Sequence, residues 1–171
     1  MSKSLLGRLL CVGIRGLSPG EELLERDLYA CAEADVGGVI LFDVDVPHMR
    51  RLLSEGVAAD EATLRSPRNI LDPDQLARLI GHLRDRLGED LFVGIDQEGG
   101  SVARLSPRRG FFADPSAVRF AALGQAERIE AARRQATRLQ ELGIDLNFAP
   151  CVDLALEPEN QIIVGNERAY G

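Results

Sequence analysis

At 171 residues, 45% hydrophobic and 27% charged, the chain has the size and make-up of one soluble globular domain. Its 27 acidic against 20 basic residues give a formal net charge of −7. That balance excludes any broad attraction to nucleic-acid backbones or anionic membranes, and leaves a small or neutral ligand as the partner to expect.

The first segment, Ser4 to Cys11, contains Arg8 and no cleavage site follows, so it does not read as a signal peptide. No apolar run anywhere approaches the roughly 20 residues that span a bilayer. Cys11, Cys31 and Cys151 are odd in number, scattered and flanked by apolar residues. That is the pattern of small buried hydrophobes in a reducing compartment, not of a disulfide framework or a zinc site. Nothing calls for a metal or cofactor, and the cytoplasm is the expected location.

Four short apolar segments predict buried strands: Leu9–Ile14, Val36–Phe42, Leu91–Ile95 and Ile144–Ala149. Between the first two, Ser18-Pro19 predicts a helix start, with Leu24, Leu28, Cys31 and Ala32 at helical spacing. After the second, Asp43 to Leu71 is too long for a plain connection, and Met49 to Leu53 predicts a short helix inside it. Asp72-Pro73 then predicts a capped helix start, Leu76, Leu79, Ile80, Leu83 and Leu87 form its apolar stripe, and Gly88 ends it. A last helix is expected from Gln125 to Leu142, with Ile129, Ala132, Ala136 and Leu139 facing inward. This alternation predicts an α/β fold with a parallel sheet covered by helices. An open doubly wound sheet and a closed barrel both satisfy the pattern. A dinucleotide-binding fold is excluded, because Gly13-x-x-Gly16 is too sparse for a phosphate-binding turn.

The chemistry concentrates where the third strand ends, in Ile95-Asp96-Gln97-Glu98-Gly99-Gly100, with Arg104 eight residues beyond Asp96. At the carboxyl end of a parallel strand such side chains face the ligand side of the fold. The plain alternative makes Asp96 a turn cap and Glu98 a solvated acid. A third reading, in which the two form a glycosidase acid/base pair, suffers from the break at Gly99. The fourth strand runs into Pro150 and then Asp153, which equally fits a cap. Arg168, in Gly165-Asn166-Glu167-Arg168, is a fork-shaped donor for hydroxyls or a carboxylate.

Taken together, Ile95-Asp96-Gln97-Glu98-Gly99-Gly100, Val102-x-Arg104-Leu105, Gly143 to Leu154 and Gly165 to Arg168 resemble the glycoside hydrolase family 3 N-terminal domain, in order and spacing. Gly37-Gly38-Val39-Ile40-Leu41-Phe42 is similar to that family's second strand. The resemblance, strongest to its β-N-acetylhexosaminidase-like branch, runs from about Leu10 to Gly171. It implies a (β/α)₈ barrel, of which 171 residues supply roughly the first four βα units, since a whole barrel takes about 250. It further implies retaining hydrolysis of O-glycosyl bonds, with Asp96, Arg104 and Arg168, and with them Asp153, in the substrate-binding pocket. The family's Lys-His pair, its Gly-His-Gly acid/base segment and its aspartate nucleophile have no counterpart. Lys3 is the sole lysine, and His48 and His82 lie elsewhere. No catalytic residue is assigned, and the chain alone is expected to be inactive, whether it joins a missing C-terminal half or associates with itself. Ser101, where a basic residue is common, and Gln161, where proline is common, bear on specificity.

Overall fold

The computed structural model describes residues 5–170; Lys3, Ser4 and Gly171, on which parts of the sequence reading rest, lie outside them. The four apolar segments become strands β1 (Cys11–Gly13), β2 (Gly38–Leu41), β3 (Phe92–Ile95) and β6 (Leu146–Asn147). They form one sheet in the order β1-β2-β3-β6, and every pair is parallel. The spatial order follows the chain order without a reversal. That is the progression of a barrel wall, whereas a doubly wound sheet changes direction at a switch point. β1 and β6 form its two outer strands.

The sheet's helix-facing residues Val39, Leu41, Val93 and Ile95 are fully buried. Against them pack Leu24, Leu28 and Cys31 of α1 (Glu22–Ala34) and Leu76, Leu79, Ile80 and Leu83 of α4 (Pro73–Leu87). Each such side chain contributes about 2 kcal/mol, so this layer is where the fold is held. On the opposite face Ile40 and Phe92 are only part-buried, as residues turned toward a barrel interior would be.

The local signals act as their chemistry dictates, with two shifts. Asp72 caps α4 by accepting from the Gln75 backbone N–H at 2.8 Å, Pro73 sits in the first turn, and the helix ends at Gly88. Ser18-Pro19 lies in a turn instead of opening a helix: α1 begins at Glu22, because Glu21 Oε2 accepts from the Leu17 N–H at 3.1 Å and closes that turn first. The segment after β2 carries α2 (Val46–Ser54) and α3 (Ala59–Leu64). Its return is pinned by buried Asn69, whose side chain accepts from Phe42 N–H and donates to the Ile14 and Gly16 carbonyls, lashing β1 to β2.

The sequence places the wrong face of α6 (Gln125–Glu141) inward. Leu139 is buried as expected, but Ile129, Ala132 and Ala136 are exposed, and Ala131 is the other buried residue. Polar anchors set the rotation: Gln135 donates to the Gln97 carbonyl and Arg138 pairs with Asp114. The cysteines also divide. Cys31 is buried, while Cys11 is exposed on the outer strand β1 and Cys151 is half-buried in the loop after β6.

β1 is tied to α1 by Arg15, whose Nε donates to Asp27 Oδ2 at 2.9 Å. That bond, above all, holds the Asp27 carboxyl below its ordinary value. Glu25 is lowered as well, first by the Gly20 N–H and then by His82, which joins α4 to α1 at 2.8 Å. Depressed carboxyl values stabilise the fold above the unfolded value of about 4, and that contribution is lost as pH falls through the folded values. Thermal melts by circular dichroism across that range are expected to show the midpoint falling with pH. Asp27→Asn should flatten the fall, and an unchanged slope would show that the pair contributes nothing.

Candidate functional site

β2 and β3 are paired with Leu41 beside Ile95, so the next residues of each strand leave the sheet at one carboxyl rim. From β2 these are Phe42 and Asp43, and from β3 Asp96. Directly after Asp96 the chain turns back on itself as β4 (Gln97–Gly99) against β5 (Val102–Ala103). The reversal depends on Gly99 at φ +96, where an added Cβ would sit 2.0 Å from the Pro115 carbonyl oxygen. The hairpin delivers Arg104 back to the rim. Its Nη2 donates to Asp96 Oδ2 at 3.1 Å, and its Nη1 lies 3.6 Å from Asp43 Oδ1. The Phe42 ring lies beneath two guanidinium groups, those of Arg68 and Arg104, at 5.5 and 5.6 Å from its centroid. A cation over a ring face is attracted by the ring's negative quadrupole.

Gln97 anchors the base of the hairpin. Its buried side chain accepts from Leu105 N–H at 2.9 Å and donates to Asp114 at 2.6 Å. Asn147, at the end of β6, grips its peptide group from both sides: Gln97 N–H donates to Oδ1 at 2.9 Å, and Nδ2 donates to the Gln97 carbonyl at 2.9 Å. The rim is therefore positioned by side-chain amides that continue the sheet's ladder where the strands have ended.

Glu98 takes a different partner from Asp96. Arg168 grips it with two bonds, Nε to Oε2 at 2.8 Å and Nη2 to Oε1 at 2.7 Å. This is a fork-on-carboxylate pair, and Glu98 raises the already high value of the Arg168 guanidinium. Ordinary strand-end residues do not explain this acid, since its side chain is only 13% exposed. The solvated reading of Glu98 is wrong. The turn-cap reading of Asp96 fares no better, since Asp96 meets an arginine. Asp153 stands exposed on the loop after β6. Cys151 lies 3.5 Å from its carboxylate, and its charge reaches Arg168.

The predicted residues thus form two neighbouring clusters. Asp96 and Arg104 meet; Arg168 joins Glu98 with Asp153 nearby; no bond among the described residues links Arg168 to Asp96. A hollow of about 730 Å³ opens beside the first cluster, walled by Asp43, Arg104, Arg108, Ser101, Met49 and Leu64. A smaller one of about 220 Å³, walled by Glu98, Gln135, Asn147, Phe120 and Tyr170 among others, lies on the far side of the hairpin. Sequence reading missed Asp43, although Phe42-Asp43 repeats the apolar-strand-into-acid signature of Ile95-Asp96. Burial pushes the Asp43 carboxyl up, with Arg104 and then Arg109 pulling it down. Arg109, itself buried, spends its donors on the Asp43, Thr63 and Leu64 carbonyls.

Chemically, such a rim offers carboxylates to hydroxyl groups and guanidinium donors beside them. Glu98 is taken up by the two bonds from Arg168.

The sequence profile described as "Glycosyl hydrolase family 3 N terminal domain" matches residues 28–171. A protein named beta-hexosaminidase from Mannheimia succiniciproducens is 32% identical over 144 residues, covering 81% of this chain and 34% of the relative. One from Pseudomonas aeruginosa is 34% identical over 125 residues, covering 67% of this chain and 36% of the relative. Among solved structures, NagZ from Neisseria gonorrhoeae in complex with N-trifluoroacetyl-D-glucosamine superposes with a TM-score of 0.59 at 24% identity, covering 94% of this chain and 40% of that one. A family 3 glycosyl hydrolase from Mycobacterium smegmatis gives a TM-score of 0.61 at 23% identity, covering 97% of this chain and 40% of that one. The chain therefore spans little more than a third of these relatives and about two-fifths of these structures.

Proposed function

Because the chain belongs to the glycosyl hydrolase family 3 N-terminal domain family, we propose that it is the sugar-gripping part of a retaining β-N-acetylhexosaminidase-like hydrolase. The observation that carries this is the Asp96–Arg104 pair at the rim of β3. A carboxylate that keeps an oxygen free accepts from sugar hydroxyls through strong charge-assisted bonds, and the arginine offsets its buried charge. Arg168, held by Glu98 across the hairpin, forms a second cluster with Asp153 near it, and its part in gripping the sugar rests on the family resemblance. Retaining hydrolysis needs a nucleophile and an acid/base group about 5–5.5 Å apart in most such enzymes. Asp96 bonds Arg104 and Glu98 bonds Arg168, so the two do not stand together as such a pair. The chain is inactive by itself on this reading, and the catalytic groups come from further strands. β1 and β6 each pair with a strand on one side only among the described residues, and Phe148, Val152, Leu154 and Leu156 beyond β6 are exposed. Both features suit further βα units, from a longer chain or a second copy. The three free cysteines suit a reducing cytoplasm.

Isothermal calorimetry with N-acetylglucosamine, sizing chromatography and an aryl N-acetyl-β-glucosaminide assay test this together. The expected result is binding near the millimolar range, about −4 kcal/mol, lost in Asp96→Ala, with no turnover. Turnover that survives purification and disappears in Asp96→Ala would overturn the inactivity. Failure to bind the sugar at all would remove the gripping role.

A further inference from the structure

Asp43 belongs to no motif that carries the family resemblance, yet its carboxylate shares one guanidinium with Asp96. Arg104 presents Nη2 to Asp96 and Nη1 to Asp43. Among the described residues, Asp96 accepts a hydrogen bond from Arg104 alone, and through one oxygen, Oδ2. An arginine facing a single carboxylate frequently closes on both oxygens with two parallel bonds, as Arg168 does on Glu98.

We propose that Asp43 is a positioning residue for Arg104: by holding Nη1, it keeps the guanidinium from closing on both oxygens of Asp96 and leaves Oδ1 open to a ligand hydroxyl. The inference rests on the sugar-gripping reading and adds to it the residue that keeps the acceptor vacant.

The surroundings separate this role from a structural one. The Asp43 backbone carbonyl is fixed without help from its side chain, since it accepts from Arg68 N–H at 3.3 Å and from Arg109 Nη2 at 3.2 Å. Burial pushes the Asp43 carboxyl up despite Arg104 and Arg109, so its charge is held at a cost to the fold. Phe42, immediately before it, has its ring centroid 5.6 Å from the Arg104 guanidinium carbon. The two carboxylates pull on different nitrogens of that group, and removing one lets the other take both.

The test is Asp43→Asn in the full chain, which keeps the volume and removes the charge. Affinity for N-acetylglucosamine should fall about fivefold, a coupling of the size found between contacting groups. The thermal midpoint at neutral pH should not drop, because the variant relieves a desolvated charge; a fall in midpoint in step with affinity would mark Asp43 as merely structural and overturn the proposal. In an Arg104→Ala background, Asp43→Asn should leave the residual affinity unchanged, and an equal loss there would also overturn it. A sugar-free readout keeps the inference separate from the functional reading. The Arg104 guanidinium proton and nitrogen resonances should move in Asp43→Asn without any ligand present. If they stay in place, Asp43 does not position Arg104. If they move but the native chain takes up no sugar, the positioning stands and the sugar-gripping reading falls.

Discussion

Asp114→Ala is expected to lower the free energy of unfolding by about 3 kcal/mol, the lower part of the range for stripping one partner from a dry ion pair. Asp114 and Arg138 are paired with side-chain exposures of 9% and 16%. Arg138 therefore cannot turn to water without tearing the loop from α6. The same carboxylate accepts from Gln97 Nε2 at 2.6 Å, so its removal also frees the side chain that fixes the base of the β4–β5 hairpin. Urea unfolding followed by circular dichroism measures the loss. Asp114→Leu combined with Arg138→Met should recover part of it, because an apolar pair of similar volume carries no desolvation cost, while Gln97 Nε2 keeps only the Leu105 carbonyl as acceptor. If the single variant loses less than about 1 kcal/mol, the pair behaves as a surface salt bridge and the anchoring of α6 must be sought elsewhere.

Gly99→Ala should be almost as damaging, and more specific in its effect on the site. An alanine Cβ would stand 2.0 Å from the Pro115 carbonyl oxygen and 2.9 Å from its carbon, at a φ of +96 that side chains resist. Backbone strain and overpacking each cost about 1–3 kcal/mol, so a total near 3 kcal/mol is expected. The neighbouring chain has to move, because the obstacle is backbone and not a flexible side chain. Displacing the turn pulls Arg104 from Asp96 and Glu98 from Arg168, so N-acetylglucosamine binding should fall by well over tenfold, or more than about 1.4 kcal/mol. Gly56→Ala is the control. It shares a positive φ of +85 but has nothing within 4 Å, so it should cost only about 1 kcal/mol and leave binding intact. Equal damage from both would mean that strain, and not the close approach to Pro115, is what the glycine relieves.

These expectations show where the sequence was readable. The strands are legible as continuous apolar runs, buried on the helix-facing side of β2 and β3, and α4 because cap, stripe and stop all coincide in Asp72, Leu76 to Leu83 and Gly88. The pairing of Asp96 with Arg104 could be anticipated, because a short hairpin, three residues out and two back, returns a side chain eight positions later to where it began. Arg168 on Glu98 could not be, since 70 residues separate them and no local pattern encodes which acid a distant arginine will choose. α6 misled for another reason. Its inward face carries Gln135 and Arg138, so the apolar residues that usually mark the buried side were turned to solvent by hydrogen bonds that hydropathy does not register. Asp43 was legible in principle and was overlooked because it introduced a long loop instead of a glycine-rich turn.

Arg109 has a consequence beyond its own bonds. Its guanidinium grips Asp43 where the excursion after β2 departs, and Thr63 and Leu64 where α3 closes it. The same neck is closed by backbone bonds, Asp45 N–H to the Ser66 carbonyl at 2.8 Å and Asn69 N–H to the Phe42 carbonyl at 3.0 Å, so everything from α2 to the start of α3 projects from one well-tied base. Residues inserted or deleted at its tip, around Gly56, would change what overhangs the larger hollow while the mouth beneath keeps its shape, so this stretch is the natural place to graft a different lid onto an unaltered foundation.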